Sequence, residues 1–320
     1  MKRMIRLAVA ALAVLASVPA VAQSYPTRPI TLVAPFPPGG STDVLARLLA
    51  SRLEARLGQT IIIDNKPGAN GAIGAAAVTR AAPDGYTILI MGASSFTINP
   101  LFYKNINYDP VKSFEYLGVA GGTQLVMLTN PTTGLSSLAD VVKQSKTDTL
   151  SYGSFGSGSL PHIAGESLTE KTGAKLLHIP YKGSAPALMD LIGNQIPLTI
   201  ETLVAAMPQI TAGKVKPLAV LGTTRAERLP DVPTVQESGV SDFDFETWFG
   251  LVAPKGTPPE VTARLANAIR DMMADRATHD ALNAAGFDPR YLNPDEFRAQ
   301  VARELERNKG VIASAQIKME

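Results

Sequence analysis

Apolar residues in this chain fall into short unbroken runs that alternate with segments whose apolar positions recur every three or four residues. "ITLVAPF" (30–36) is such a run. "VLARLLASRLEARLG" follows, with Val44, Leu45, Leu48, Leu49, Leu53 and Leu57 on one helical stripe and Gly58 at its end. "TIIIDN" (60–65) and "YTILIMG" (86–92) read as the next buried strands. Between them a glycine-rich turn leads into an alanine-rich helix from about Ile73 to Ala82, stopped by Pro83-Asp84-Gly85. The rhythm continues through the strands "LVMLTN", "LSYGSF", "LLHIPY", "PLTIET" and "KPLAVLG", with the helices "SLADVVKQSK", "PHIAGESLTEKTG", "APALMDLIGNQ" and "VAAMPQITAG" between them. Short apolar strands joined by helical crossovers predict an α/β protein with parallel sheets covered on both faces.

Two long extended passages interrupt this alternation. "EYLGVAGGTQLVMLTN" carries the Gly121-Gly122 pair, and "SGVSDFDFETWFGLVAPKG" carries Phe243, Phe245, Trp248 and Phe249. The chain is expected to leave a first lobe near Gly122, build a second, and return near Glu246. Lobe one is then residues 23–122 with 246–320, and lobe two is 123–245. Two crossing strands would form a hinge. The simpler alternative is one continuous sheet with a helical tail, since Pro258 to Glu320 reads as nearly all helical.

The first residues change the picture of where the protein works. Lys2, Arg3 and Arg6 precede an apolar stretch from Leu7 to Val18, and Ala20-Val21-Ala22 supplies an A-x-A site. This is the pattern of a secretory signal peptide over residues 1–22, cut before Gln23, and it implies export to the periplasm. Its apolar core is short of the ~20 residues needed to span a bilayer. Its removal takes three basic residues and no acid, so the formal charge passes from +2 to −1. No basic run then remains to suggest nucleic acid or an anionic lipid surface. The 320 residues include no cysteine, which excludes disulfides, thiol catalysis and cysteine-ligated metals.

The candidate chemistry lies in loops that follow strands, where open α/β sheets bind ligands. "PFPPGGSTD" (35–43) combines the stiff Pro37-Pro38 with Gly39 and Gly40, which let a ligand approach the main chain. Ser41, Thr42 and Asp43 then lead into a helix whose first N–H groups are free. Such an end favours a small anion without any cationic side chain. Asp43 competes with an anion there, so two readings stay open: a ligand site, or a tight turn with a redundant cap. "GASSFTINP" (92–100) offers Ser94, Ser95, Thr97 and Asn99 in a second loop of neutral donors. In the second half "YGSFGSGSLPH" (152–162) is a glycine–serine nest. "IPYKGSAPAL" (179–188) then places Tyr181, Lys182, Gly183 and Ser184 ahead of another helix.

Other chemistries are poorly supplied. There is no G-x-G-x-x-G, G-x-S-x-G or G-K-[ST] motif. His162 and Glu166 share a helix face, but two ligands are too few for a metal. Ser157 or Ser159 with His162 is the only arrangement resembling a serine hydrolase. Glu201 ends an apolar strand, where a buried carboxylate needs a partner, either a backbone amide or the ligand.

Taken together, "YPTRPITLVAPFPPGGSTDVLAR", "IDNKPGANGAIG", "APDGYTIL", "GSGSLPHIAGE", "PYKGSAPAL" and "VPTVQESG" resemble the TctC or Bug family, the extracytoplasmic receptors of tripartite tricarboxylate transporters. The resemblance covers nearly the whole mature chain. It implies a two-lobed periplasmic binding protein of the type II, Venus-flytrap kind that closes on a small organic acid and presents it to membrane permease subunits, with no cofactor, metal or bond-breaking step. By match, Pro38, Gly39, Gly40, Ser41, Thr42 and Asp43 would face the ligand from one loop, and Ser94, Ser95 and Asn99 from a second. Ser157, Gly158, Ser159 and His162, then Lys182 and Gly183, would face it from the opposite lobe. The chain departs from the family where Ile196-Pro197 and Glu201 stand in place of its usual aspartates. No relative's substrate is therefore transferred. Phe36, Phe155, Asp43 and Glu201 suit an aliphatic mono- or diacid, an aromatic acid or an amino acid. The expected state is a monomer. Two further readings remain at this point: a receptor reporting to a sensor kinase, and a periplasmic hydrolase.

Overall fold

The computed structural model describes residues 25–314; the expected leader over 1–22 lies outside them. The elements are, in chain order, β1 (Ile30–Ala34), α1 (Ser41–Leu57), β2 (Ile61–Asn65), α2 (Ala72–Thr79), β3 (Thr87–Gly92), α3 (Ala93–Thr97), α4 (Asn99–Phe102) and β4 (Phe114–Thr129). Then come α5 (Leu138–Thr147), β5 (Leu150–Ser154), α6 (Leu160–Thr172), β6 (Leu176–Pro180), α7 (Ser184–Ile192), β7 (Leu198–Thr202), α8 (Leu203–Thr211) and β8 (Lys216–Val220). The chain ends in β9 (Glu246–Pro254), α9 (Pro259–Met273), α10 (Arg276–Ala285), β10 (Asp288–Leu292) and α11 (Pro294–Ser314).

The strands run in the order β2-β1-β3-β9-β4-β7-β5-β6, with β8 and β10 also paired to β4. Strand β4 joins two half-sheets. Its residues up to Gln124 pair with β9 and β10, and Leu125–Thr129 pair with β7 and β8. The sheet is mixed, where sequence alone predicts mainly parallel. β2-β1-β3 and β6-β5-β7 are parallel, as helical crossovers require. β4 and β9 run against their neighbours, because they are the long passages that carry the chain out of the first half-sheet and back.

Alternation along the strands builds a core on each face of each half-sheet. Ile30, Leu32 and Ala34 of β1 pack against α1 and α9, and Val33 packs on the opposite face with Leu89 and Phe96. In the second half Leu125 and Met127 join Leu198 and Ile200 on one side, and Val126 and Leu128 join Leu191 on the other. Each such buried aliphatic side chain contributes about 1.5–3 kcal/mol. Two expectations change. Residues 92–100, read as a loop, form α3 and α4, because β3 passes directly into a helix at Gly92. The C-terminal region holds a strand, β10, whose polar "DPRYL" has no strand-like pattern and is fixed by pairing with Val119, Ala120 and Gly122 of β4.

Candidate functional site

Helices start where parallel strands end, so β1, β3 and β7 deliver α1, α3 and α8 to one side of the sheet, and β6 delivers α7. The starts of these four helices meet at a cavity lined by Gly40, Ser41 and Thr42, by Gly92 and Ser94, by Ser184 and Ala185, and by Thr202. Phe36, Pro37, Phe155, Thr247 and Phe249 complete the wall, and no lining side chain is charged. The caps of α1, α3 and α7 are Gly40, Gly92 and Gly183, none of which offers a side chain to the first-turn amides. Only α8 is capped from within, by Thr202, which accepts from the Ala205 amide. The uncapped first-turn N–H groups of these helices supply donors beside the cavity without any cation.

The first loop is held from behind. The Gly39 amide donates to Asp43 Oδ2 at 3.0 Å, and Asn65 Nδ2 donates to Asp43 Oδ1 and to the Phe36 carbonyl, each at 3.0 Å. Arg47 Nε also donates to Asp43 (3.0 Å), whose side chain is only 5% exposed. Burial by itself would raise the Asp43 carboxyl, but Arg47, Gly39 and Asn65 together hold it below the ordinary aspartate value. Asp43 is thus a latch for the loop and does not line the cavity. Asp43→Ala is expected to cost about 1–3 kcal/mol in urea denaturation, because it strands buried donors. Asp43→Asn should lose less, since an amide oxygen still accepts from Gly39.

The other sequence-selected residues divide into three groups. Phe36, Gly40, Ser41, Thr42, Ser94 and Phe155 line the cavity. Ser157 and Lys182 line an adjoining hollow of ≈ 300 Å³, separated from the cavity by the edge-to-face pair Phe36–Phe155 with ring centroids 6.0 Å apart. The remainder are structural. Pro38 and Gly39 are exposed on the outer side of the loop. Ser95 Oγ and Asn99 Nδ2 both donate to the Asn70 carbonyl at 2.9 Å. Ser159 caps α6 by accepting from the His162 amide, and His162 Nδ1 accepts from the Gly158 amide at 3.1 Å. With its Nδ1 so engaged, His162 is not placed as a base for Ser159. Its ring stacks on His178 at 3.9 Å between centroids. The His162 Nε2–Glu166 distance is 3.9 Å, and no third metal ligand joins them among the described residues. Gly183 starts α7 at φ 122°, and Glu201 is wholly buried just behind Ser184 and Thr202.

The two half-sheets touch around the cavity. Asn70 Nδ2 donates to the Gly158 carbonyl at 3.0 Å, and Tyr103 Oη to the Ser157 carbonyl at 2.8 Å. The Phe102 ring meets His162 edge-on at 5.8 Å. A Cβ on Gly183 would lie 2.9 Å from Pro37 Cδ. Sequence reading passed over Asn70, Thr202, Thr247 and Phe249. Thr202 carried a usable signal, a threonine directly between an apolar strand and a helix. Asn70, at φ 47° directly before Gly71, carried a weaker one. Thr247 and Phe249 had none, since pairing of Phe249 with Gly92 across β9 and β3 brings them in.

A cleft walled by two half-sheets, free of charged side chains and floored by open helix starts is a place suited to a small solute. The chain belongs to the TctC family, described as the tripartite tricarboxylate transporter family receptor, whose model matches residues 45–317. It is therefore one of the periplasmic solute-binding receptors of the TctC/Bug type. It is 36% identical over 304 residues to protein BugT of Bordetella pertussis, covering 94% of this chain and 93% of that one. Among solved structures it matches an R. palustris protein with adipate at a TM-score of 0.90, with 34% identity over 92% of this chain and 100% of the other. It also matches MatC of Rhodopseudomonas palustris with bound malate at a TM-score of 0.84, with 28% identity over 90% and 100%. Among the described residues no helix is long and apolar enough to cross a membrane.

Proposed function

We propose that this receptor captures a small organic carboxylate in the cavity, its acid group held by the uncapped amides of α1, α3 and α7 with Ser41, Thr42, Ser94 and Ser184 as further donors. The observation that carries this reading is the convergence of three glycine-capped helix starts on a cavity without charged lining. An anion there exchanges water for fixed neutral donors, which avoids burying a lysine or arginine. The mono- and dicarboxylic acids are the ligand class, and the adipate and malate held by two structural relatives support it.

Residues 23–122 with 246–320 act as one lobe and 123–245 as the other, with the change of partners along β4 and the start of β9 as the hinge. The cavity is narrow, and the two half-sheets meet around it. The lobes must therefore part to admit an acid and close on it, and the ligand stabilises the closed form by its higher affinity for it. Residues 1–22 act as a cleavable export signal. The mature protein works as a monomer, breaks no bond, and hands its ligand to permease subunits of a tripartite transporter.

The test is thermal denaturation of the mature protein with a panel of straight-chain mono- and dicarboxylates, malate, benzoate and acidic amino acids. An acid at about a hundredfold excess over Kd should stabilise by about 2.7 kcal/mol and raise the melting temperature by about 4–5 °C. Small-angle scattering should show compaction with the same acid. A panel in which nothing shifts the melting temperature overturns the reading.

A further inference from the structure

Behind the cavity wall lies a group that the acid-binding geometry leaves unused. Glu201 sits on β7, wholly buried, with both carboxylate oxygens lacking a hydrogen-bond partner. Its nearest polar neighbours are the Ser184 hydroxyl and the Thr202 amide. Both favour its charged form, but neither reaches it with hydrogen-bond geometry. Ser184 and Thr202 themselves line the cavity. Glu201 is therefore one side chain removed from the ligand space, with Ser184 between.

We infer that Glu201 is a positioning residue for ligand selection: held as the neutral acid, it turns the Ser184 proton toward the ligand and so adds a donor for a carboxylate at the start of α7. This rests on the acid-binding reading above. A serine hydroxyl has one proton to donate and lone pairs to accept with. Ser184 Oγ lies beside Glu201 but short of hydrogen-bond geometry in this structure; a small movement as the site closes on its ligand lets the neutral Glu201 carboxyl donate to it, which frees the Ser184 proton to meet an incoming carboxylate. An ionised Glu201 draws that proton to itself, turns the serine lone pairs toward the cavity, and adds a second negative charge beside the ligand in a dry site. Selection follows from the same turn: with its proton directed inward, Ser184 offers no lone pair to the N–H groups of an amine or amide.

The surroundings supply no cation to keep Glu201 ionised. α8 carries no titratable group, and Asp190 on α7 accepts from Tyr181 Oη at 2.7 Å. On β5, Tyr152 bonds Glu166 and the His162 carbonyl on the other face. β4 places Val126 opposite Glu201, and its ionisable residues, Glu115 and Tyr116, lie at its far end in the first half-sheet. Lys216 stands at the exposed start of β8, Arg225 is held by Glu237, and Lys182 is exposed before α7. Burial accordingly pushes the Glu201 carboxyl up to about 8, so the neutral form predominates at pH 7.

Two measurements test this on the mature protein. Carboxyl 13C spectra of glutamate-labelled wild type and Glu201→Gln identify the Glu201 resonance by difference. It should titrate far above the ordinary glutamate range, and a midpoint near 4–5 overturns the inference without touching the acid-binding reading. The second is the dissociation constant of the panel acid giving the largest thermal shift, from pH 6 to 9.5. For wild type Kd should be flat at the acid end and rise toward about tenfold per pH unit once Glu201 ionises. In Glu201→Gln, whose amide donates at every pH, the rise should shrink to within twofold. Ser184→Ala should reduce it only in part, because the hydroxyl that turns is gone while the charge on Glu201 still repels the acid. A wild-type Kd independent of pH, or a rise retained in Glu201→Gln, rejects the assignment while leaving the receptor reading intact. A panel in which no acid binds at pH 7 rejects both.

Discussion

Gly183→Ala is expected to weaken organic-acid binding at least tenfold. Gly183 caps α7 at φ 122°, a conformation that L side chains rarely adopt, and its Cβ would stand 2.9 Å from Pro37 Cδ and 3.1 Å from Pro37 Cγ on the other side of the cleft. Pro37 is a ring anchored in a two-proline turn, so it yields little. The added methyl both strains the cap and wedges the halves apart at the point where they must close. A penalty of only 1.4 kcal/mol is a factor of ten in affinity, and backbone strain of this kind costs about 1–3 kcal/mol. Gly173→Ala is the control. It too has a positive φ, 66°, in the left-handed helical region, with nothing within 4 Å of its Cβ, and it ends α6 away from the cavity. It should lower stability while leaving Kd within twofold. Isothermal titration with an acid from the panel separates the two, and equal affinities for Gly183→Ala and wild type would refute the wedge.

Stability should depend on pH through two opposing slopes inside the second half-sheet. His162 and His178 are stacked and largely buried. Burial pushes His162 down to about 4, and burial together with the neighbouring His162 pushes His178 down to about 3. Between about pH 6.5 and these values the unfolded chain binds protons that the folded one does not. Stability from this pair is therefore full above pH 6.5 and lost as pH falls, by on the order of 8 kcal/mol in all. Glu201 acts in the reverse sense. Its folded value of about 8 lies above the unfolded one, so its contribution is full below about pH 4.5 and is lost as pH rises toward 8. Urea denaturation at half-unit steps from pH 4 to 8.5 resolves the two. The double variant His162→Gln/His178→Gln should remove the acid-side loss, and Glu201→Gln should remove the alkaline-side loss. Parallel profiles for all three proteins would contradict the assignment.

These outcomes depend on how particular residues came to be where they are. Gly40, Ser41 and Thr42 were legible in the sequence, because a glycine and two hydroxyl residues between an apolar strand and a helical stripe have a local meaning. Asp43 was legible only as an ambiguity. Whether it meets a ligand or its own loop turned on Asn65 and Arg47, and Asn65 lies 22 residues away. Ser95 and Asn99 looked equivalent to Ser94 as donors. The direct passage from β3 into α3 turned Ser94 to the cavity and Ser95 to Asn70, since successive residues of a helix face different ways, and Asn99 reaches Asn70 from the start of α4. Glu201 showed itself as a carboxylate at the end of an apolar strand, yet its missing partner and the uncharged surroundings were set by four neighbouring elements.

By itself, the sequence determined the alternating strands and helices, the strand-end loops rich in glycine and hydroxyl side chains, and the family, because each of these is written in contiguous residues. The tertiary structure alone decided that β4 serves both half-sheets and that three glycine-capped helices begin at one cavity. It also decided that Thr247 and Phe249 close its wall and that Glu201 is sealed behind Ser184. The physical reason is range. Periodicity and capping act over a few residues, whereas the direction in which a helix dipole points, and whether a carboxylate meets water, depend on where distant segments pack.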